Sequence, residues 1–255
     1  MGRVIAIINQ KGGVGKTTTT INLGAALAEK GLYTLLIDAD PQGALSIGTG
    51  LPAYDLEFSL YSILTDPRIP IAAVMHHIRP HLDLIPSNID LAGAELQLVA
   101  VPGREYILRD AIAGLRNNYS FVLIDCPPSL GLLSVNALTA ADEILIPLQC
   151  EFLAMRALDA LTDVVARVQR RLNPNLRLLG IVPTMYNPRR IHSREVLDKV
   201  RLAYPNKLLS VAIKENVRFA EAPAQHRTIF ETDKNGEGAE SYRALAEVII
   251  NARPN

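Results

Sequence analysis

Tryptophan is absent from this 255-residue chain, aromatic residues make up only 5% of it, and cysteine occurs just twice. A core without large rings has to be filled by Ala, Val, Ile and Leu, and hydrophobic residues do reach 49%. Such a core suits a parallel sheet buried between helices. Cys126 and Cys150 stand in no Cys-x-x-Cys spacing and have no histidine near them in sequence. That pattern excludes a sequence-local zinc or dithiol site and leaves two small buried hydrophobes in a reducing compartment. Long apolar runs are missing as well: Val4–Ile8 and Leu35–Ile37 are far too short to cross a bilayer. The N-terminus has no apolar h-region of a secretory signal, so a cytoplasmic location is expected. Linkers rich in Gly or Ser, repeats and low-complexity tracts are also lacking, and a single domain over residues 1–255 is the expectation.

Net charge is zero, but unevenly spread. Residues 1–150 carry 9 basic and 14 acidic side chains, and residues 151–255 carry 17 basic and 12 acidic. The basic excess of the C-terminal part is a mild pointer to a polyanion, although an ordinary solvated surface explains it as well.

Buried strands alternate with helical stretches along the chain. Val4–Ile8, Tyr33–Asp38, Leu82–Pro86, Phe121–Asp125, Ile144–Leu148, Leu178–Val182 and Leu208–Ile213 read as strands. Thr17–Lys30, closed by Gly31, reads as a helix, as do Ser59–Leu64, Arg104–Leu115, Ala154–Leu172, Ser193–Ala203 and Gly238–Asn251. Right-handed crossovers between such strands predict an α/β fold: a mostly parallel twisted sheet with helices on both faces. Its ligands are expected at the C-terminal ends of the strands.

The stretch Lys11-Gly-Gly-Val-Gly-Lys-Thr-Thr18 follows the first strand and opens the first helix. Gly12, Gly13, Val14 and Gly15 let backbone N–H groups turn inward around a phosphate, and the helix N-terminus adds its dipole. Lys16 can reach the terminal phosphates, Thr17 can complete a Mg²⁺ shell, and Thr18 continues the cradle. Asp38 and Asp40 end the second strand, and Asp125 ends Val122-Leu-Ile-Asp125. Carboxylates at these strand ends can hold a metal and a water, whereas buried without a partner they would be costly.

The second lysine, Lys11, gives the motif its character: KGGVGKTT resembles the deviant Walker A sequence of the ParA/MinD superfamily of P-loop NTPases. Asp38-Ala-Asp-Pro-Gln-Gly43, Pro86-Ser-Asn-Ile-Asp-Leu-Ala-Gly-Ala-Glu95, Pro147-Leu-Gln-Cys-Glu151, Thr184-Met-Tyr186 and Asn216-Val-Arg-Phe-Ala-Glu-Ala-Pro223 extend the likeness to Soj-type ParA proteins. The resemblance implies a Mg²⁺-dependent ATPase, slow alone and stimulated by a partner. It implies that Lys11 reaches the nucleotide of a second subunit in an ATP-bound homodimer, and that Asp40 lies beside the attacking water. Thr17, Asp38 and Asp125 would then serve the metal, and Asn216 the nucleotide. Arg189 and Arg218 match positions where Soj-like proteins carry arginines that contact DNA without reading its sequence. Arg190, Arg194, Lys199, Arg201 and Arg227 are candidates to extend that patch. Lys214 and Glu215 stand where the family usually has a Pro and an Arg that help to frame the adenine. Because the chain opens directly on its first strand, the N-terminal DNA-reading extension of larger plasmid ParA proteins is expected to be absent.

On this resemblance the chain segregates chromosome or plasmid DNA, bound to the nucleoid and working with a ParB-like protein. The alternative is a spatial organiser of the same type that positions a non-DNA cargo such as a carboxysome, chemoreceptor array or polar complex. A MinD-like membrane role would need an apolar tail, which Ala252-Arg-Pro-Asn255 does not supply. A nitrogenase-type role would need cysteines in other segments. A metabolic kinase would need an acceptor pocket that the sequence does not display.

Overall fold

The computed structural model describes residues 2–151 and 153–252. Seven strands are hydrogen-bonded into one sheet: β1 (Arg3–Ile7), β2 (Thr34–Asp38), β3 (His76–Arg79), β4 (Leu82–Ile85), β5 (Phe121–Asp125), β6 (Glu143–Gln149) and β7 (Arg177–Thr184). Their order across the sheet is β3-β4-β2-β5-β1-β6-β7. Every pairing is parallel except β3 with β4, so the expected mostly parallel sheet is found, with one antiparallel strand at its edge. Its helices are α1 (Lys16–Glu29), α2 (Ala44–Thr49), α3 (Leu60–Thr65), α4 (Leu91–Gln97), α5 (Ile107–Ile112), α6 (Leu132–Ala140), α7 (Ala154–Arg171), α8 (Ile191–Ala203), α9 (Arg218–Ala224), α10 (Ile229–Thr232) and α11 (Glu237–Asn251).

Because successive strand residues point to opposite faces, β1 splits its apolar side chains between two cores. Val4 and Ala6 pack with residues of α3 to α8, while Ile5 and Ile7 pack with α1, α10 and α11. Helices therefore cover both faces. The central strands carry continuous apolar stretches that are fully buried on both faces, so their sequences show no alternation. In the α1 turn of the chain, Gly31 closes the helix with φ 76°, a left-handed conformation that glycine adopts without strain.

Two expectations need correction. Leu208–Ile213 does not form a regular strand. Leu209 N–H bonds Ile181 O, and the next rung is Ile213 N–H to Pro183 O. A regular parallel rung would advance two residues on both segments, but this segment advances four, so Ser210–Ala212 arches away and only isolated bridges remain. The helix read over Arg104–Leu115 is broken into a 3₁₀ turn at Arg104–Tyr106, α5, and a second 3₁₀ turn at Leu115–Asn117. Gly114 lies at the break, where its conformational freedom disfavours a continuous helix. Among the described residues no helix is long and apolar enough to cross a membrane. Residues 253–255 of the segment expected to carry no apolar tail lie outside the described residues.

Candidate nucleotide site

β1 lies between β5 and β6, and the loop leaving its C-terminal end runs into α1. Gly13 (φ 73°) and Gly15 (φ 86°) take left-handed conformations in that loop, and Gly15 directly precedes α1. Neither a Cβ on Gly12 nor one on Gly13 would meet an atom within 4 Å, so these two glycines face open space rather than packed core. The first N–H groups of α1 have no intrahelical partner and are left to meet a ligand.

Lys16 is only 8% exposed, and among the described residues its ammonium donates one hydrogen bond, to Lys11 O at 3.3 Å. Burial lowers its proton affinity, and the nearby Asp125 carboxylate partly restores it. A buried cation with donors to spare, aimed into an open cradle of N–H groups, fits the phosphates of a nucleotide.

Asp125 is buried beside it. Its Oδ2 accepts the Thr17 hydroxyl at 2.7 Å and its Oδ1 the Thr20 hydroxyl at 3.3 Å. Burial, and then the like charge of Asp38, push its carboxyl up to about 8. Thr17 and Asp125 together are a hard oxygen donor set of the sort Mg²⁺ prefers. Among the described residues there is no group of three or more His, Cys, Asp or Glu able to hold a metal.

Asp38 is placed differently from a simple metal ligand. It pairs with Asp125 in the β2–β5 register, but its Oδ2 accepts both the N–H and the hydroxyl of Ser46, at 2.9 and 2.7 Å. Its Oδ1 accepts the N–H of Asp40 at 3.2 Å. Burial pushes this carboxyl up to about 6, opposed by the Ser46 hydrogen bonds. Asp38 thus fixes the turn that carries Asp40, whose Oδ1 accepts the Gln42 N–H at 3.0 Å. Ser46 also takes the Ser87 N–H on its hydroxyl, at 2.9 Å, which ties this turn to the end of β4.

Lys11 does not point into open solvent. Its ammonium is paired with Glu151 and donates to Gln149 Oε1 at 3.1 Å, both at the end of β6. The segment Pro147-Leu-Gln-Cys-Glu151, which carries part of the family likeness, thus also receives Lys11, a pairing that no local sequence pattern announces.

A cavity of about 480 Å³ opens beside the loop, lined among others by Gly15, Thr18, Met185, Lys214, Glu215, Asn216 and Tyr242. The expected nucleotide residue Asn216 is therefore in its wall. Lys214 is drawn to Glu237, and Glu215 to Arg190 at 3.7 Å, so both atypical residues hold ion pairs at the cavity rim. Thr184, at the end of β7, donates its hydroxyl to Val14 O at 2.8 Å and so joins this wall to the phosphate loop.

Arg189 and Arg218 are exposed, Arg189 in the loop after β7 and Arg218 as the first residue of α9. Tyr186 N–H bonds Ile213 O at 3.0 Å, which sets the two arginine-bearing segments side by side. Arg218 is paired with Glu221, and Arg201 with Asp198, while the exposed Arg194, Lys199 and Arg227 complete the basic set.

Comparison with known proteins agrees with this geometry. A family model described as an AAA domain matches residues 2–178. The sporulation initiation inhibitor protein Soj of Bacillus subtilis is 44% identical over 249 residues, covering 98% of each chain. The chromosome partitioning protein ParA of Caulobacter vibrioides is 46% identical over 250 residues, covering 97% of this chain and 94% of its own. A crystal structure of cobyrinic acid a,c-diamide synthase from Mycobacterium smegmatis, with bound ATP analog and magnesium, superimposes with a TM-score of 0.87. It is 40% identical over 98% of this chain and 95% of that one. ATP and Mg²⁺ are the cofactors this fold and loop are built for. The chain belongs to the ParA/Soj family of partition ATPases, within the deviant Walker A superfamily of P-loop NTPases.

Proposed function

We propose that this chain is an ATP-switched homodimer that grips DNA without reading its sequence and segregates chromosome or plasmid DNA together with a ParB-like partner. In this reading the N–H groups of Gly12–Gly15 and the Lys16 ammonium bind the phosphates. Thr17 and Asp125 hold Mg²⁺, which would neutralise charge on the phosphates. Asp38 orients the Asp40 turn, Asp40 positions the attacking water, and Asn216 contacts the nucleotide. Lys11 leaves Glu151 to reach the nucleotide of the second subunit.

The observation that carries the DNA reading is the hydrogen bond that joins the exposed segments bearing Arg189 and Arg218, which also wall the nucleotide cavity. A dimer would present both arginines twice. Roughly four phosphate contacts imply a log–log salt slope near about −3.6, and a monomer with half of them binds far more weakly at physiological salt. Phosphate contacts of this kind carry affinity and no sequence information.

Amide synthesis, the activity in the name of the Mycobacterium smegmatis neighbour, gains no support from this chain's thiols. Cys126 and Cys150 are both buried, and burial pushes each thiol up, Cys150 to about 11, so neither is an accessible thiolate nucleophile.

The test is fluorescence anisotropy on two unrelated duplexes across a salt series, with ATP and with ADP. Binding to both duplexes in ATP alone, lost in Arg218→Glu while the ATP-dependent dimer persists, is the expected result. Equal binding in both nucleotides, or a strong preference for one duplex, would overturn the switch. No binding at all would transfer the case to an organiser of non-DNA cargo.

A further inference from the structure

Asp125 is followed at once by the loop from Cys126 to Gly131 and then by α6, so whatever fixes the start of α6 fixes the far end of that loop. β5 lies between β2 and β1, and the loop therefore leaves the sheet between the Asp40 turn and the phosphate loop. Its near end is secured by Cys126 N–H to Ile7 O at 3.1 Å and by the Asp125–Thr17 bond. Its far end lacks the usual device. Gly131 precedes α6 without a side chain to cap it, and the first turn of α6 contains no acid.

One orphan donor of that turn is met from another helix. Glu95 of α4 lies 38 residues earlier in the chain, and its Oε1 accepts the Leu133 N–H at 3.2 Å. Gly131 has φ −79°, which any residue can adopt, so its backbone does not call for glycine. Space does: a Cβ there would fall inside the contact distance of the Glu95 carboxylate. Ser134 holds the loop from the other side by donating to Ser129 O at 2.5 Å. The segment bearing Glu95 is itself anchored to the site, through Ser87 N–H to Ser46 and from Ser46 to Asp38. Leu91 and Ala94 of α4 are fully buried, so Glu95 projects from a fixed element.

We propose that Glu95 is a positioning residue for ATP hydrolysis: it caps α6 from α4 and thereby holds the 126–131 loop in register beside the phosphate site. A carboxylate suits the task, since it accepts a charge-assisted bond and sits favourably at a helix N-terminus. The proposal rests on the reading of this chain as an ATPase.

The experiment compares the full chain with Glu95→Ala, Glu95→Gln, Gly131→Ala and the Glu95→Ala/Gly131→Ala double variant. Phosphate release is followed across ATP concentrations with Mg²⁺, together with the affinity for a fluorescent ATP analogue and the urea unfolding midpoint. Displacing a reacting group by about 1 Å can cost about a hundredfold, so Glu95→Ala should lower kcat by about tenfold or more while analogue affinity stays within about twofold. Glu95→Gln keeps an acceptor oxygen and should recover most of kcat. Gly131→Ala should mimic Glu95→Ala, because the new methyl displaces a flexible carboxylate rather than backbone, and the double variant should be no worse than either single. Parental kcat in Glu95→Ala, or additive losses in the double variant, would overturn the proposal. So would equal losses in the Ala and Gln variants that track the unfolding midpoint, which would mark a role in folding alone. A parental chain with no turnover would overturn the ATPase reading, and this proposal with it.

Discussion

Lys11 and Glu151 are joined by an ion pair within one chain. Their side chains are 33% and 52% exposed, so the pair belongs to the class of partly solvated contacts worth about 0–1 kcal/mol. Such a contact keeps the lysine ordered but gives it up readily to a triphosphate. Because each dimer breaks two such pairs, Glu151→Ala should shift ATP-dependent dimerisation to protein concentrations lower by up to about thirtyfold, the equivalent of about 2 kcal/mol. Lys11→Ala should bind ATP and stay monomeric. Light scattering across a concentration series reads both; a parental dimerisation curve for Lys11→Ala would show that the lysine has no interfacial task.

Lys16 is the buried cation of the cradle. A charge-assisted hydrogen bond is worth about 1.5–3 kcal/mol, and the ammonium has more than one donor to offer, so Lys16→Ala should weaken ATP binding by about a hundredfold or more. Calorimetry showing parental affinity would remove the phosphate assignment.

Asp40 is held in the site by its backbone N–H, while its carboxylate makes only the short turn with Gln42. Asp40→Ala should leave ATP affinity and dimerisation within about twofold and reduce turnover by about a hundredfold or more, the span of a positioned acid–base group. Phosphate release at the parental rate would mean that another residue holds the water.

Asp125 is costly to the protein without its ligands, being buried and facing the like charge of Asp38. Asp125→Asn removes the cost of burying that carboxylate, or of protonating it on folding at neutral pH, while keeping groups that can bond Thr17 and Thr20. In EDTA without nucleotide, urea unfolding should show the variant more stable by about 1–3 kcal/mol, with no ATP turnover. A variant less stable than its parent would mean that the threonine hydroxyls already compensate the charge.

The parts of this molecule that could be read beforehand are those written in consecutive residues. The glycines and lysines of the phosphate loop, the apolar strand leading into it and the Gly31 stop are adjacent in sequence, and the structure keeps them adjacent. The unread parts are pairings across long separations. Lys11 with Glu151, Glu95 with Leu133 and Ser46 with Ser87 join segments 140, 38 and 41 residues apart, and no local pattern announces them. β3 escaped notice because His76–Arg79 is polar and half-exposed, formed by pairing with β4 rather than by burial. Leu208–Ile213 misled in the opposite sense: its side chains are strand-like, but its hydrogen bonds fall out of step with β7.

The Thr184–Val14 bond has a consequence for how this chain can change. Between that bond and Arg189 lie only Met185, Tyr186, Asn187 and Pro188, and Met185 already holds a left-handed φ of 48°. Surface loops usually tolerate insertions, because added length costs little entropy. Here Tyr186 is also bonded to Ile213, so one added residue would shift Arg189 relative to the 213–218 segment, break that bond or pull the threonine off the phosphate loop. The turn after β7 is therefore a fixed-length spacer despite its exposed position, and a scan of single-residue insertions should find it among the least permissive loops of the molecule.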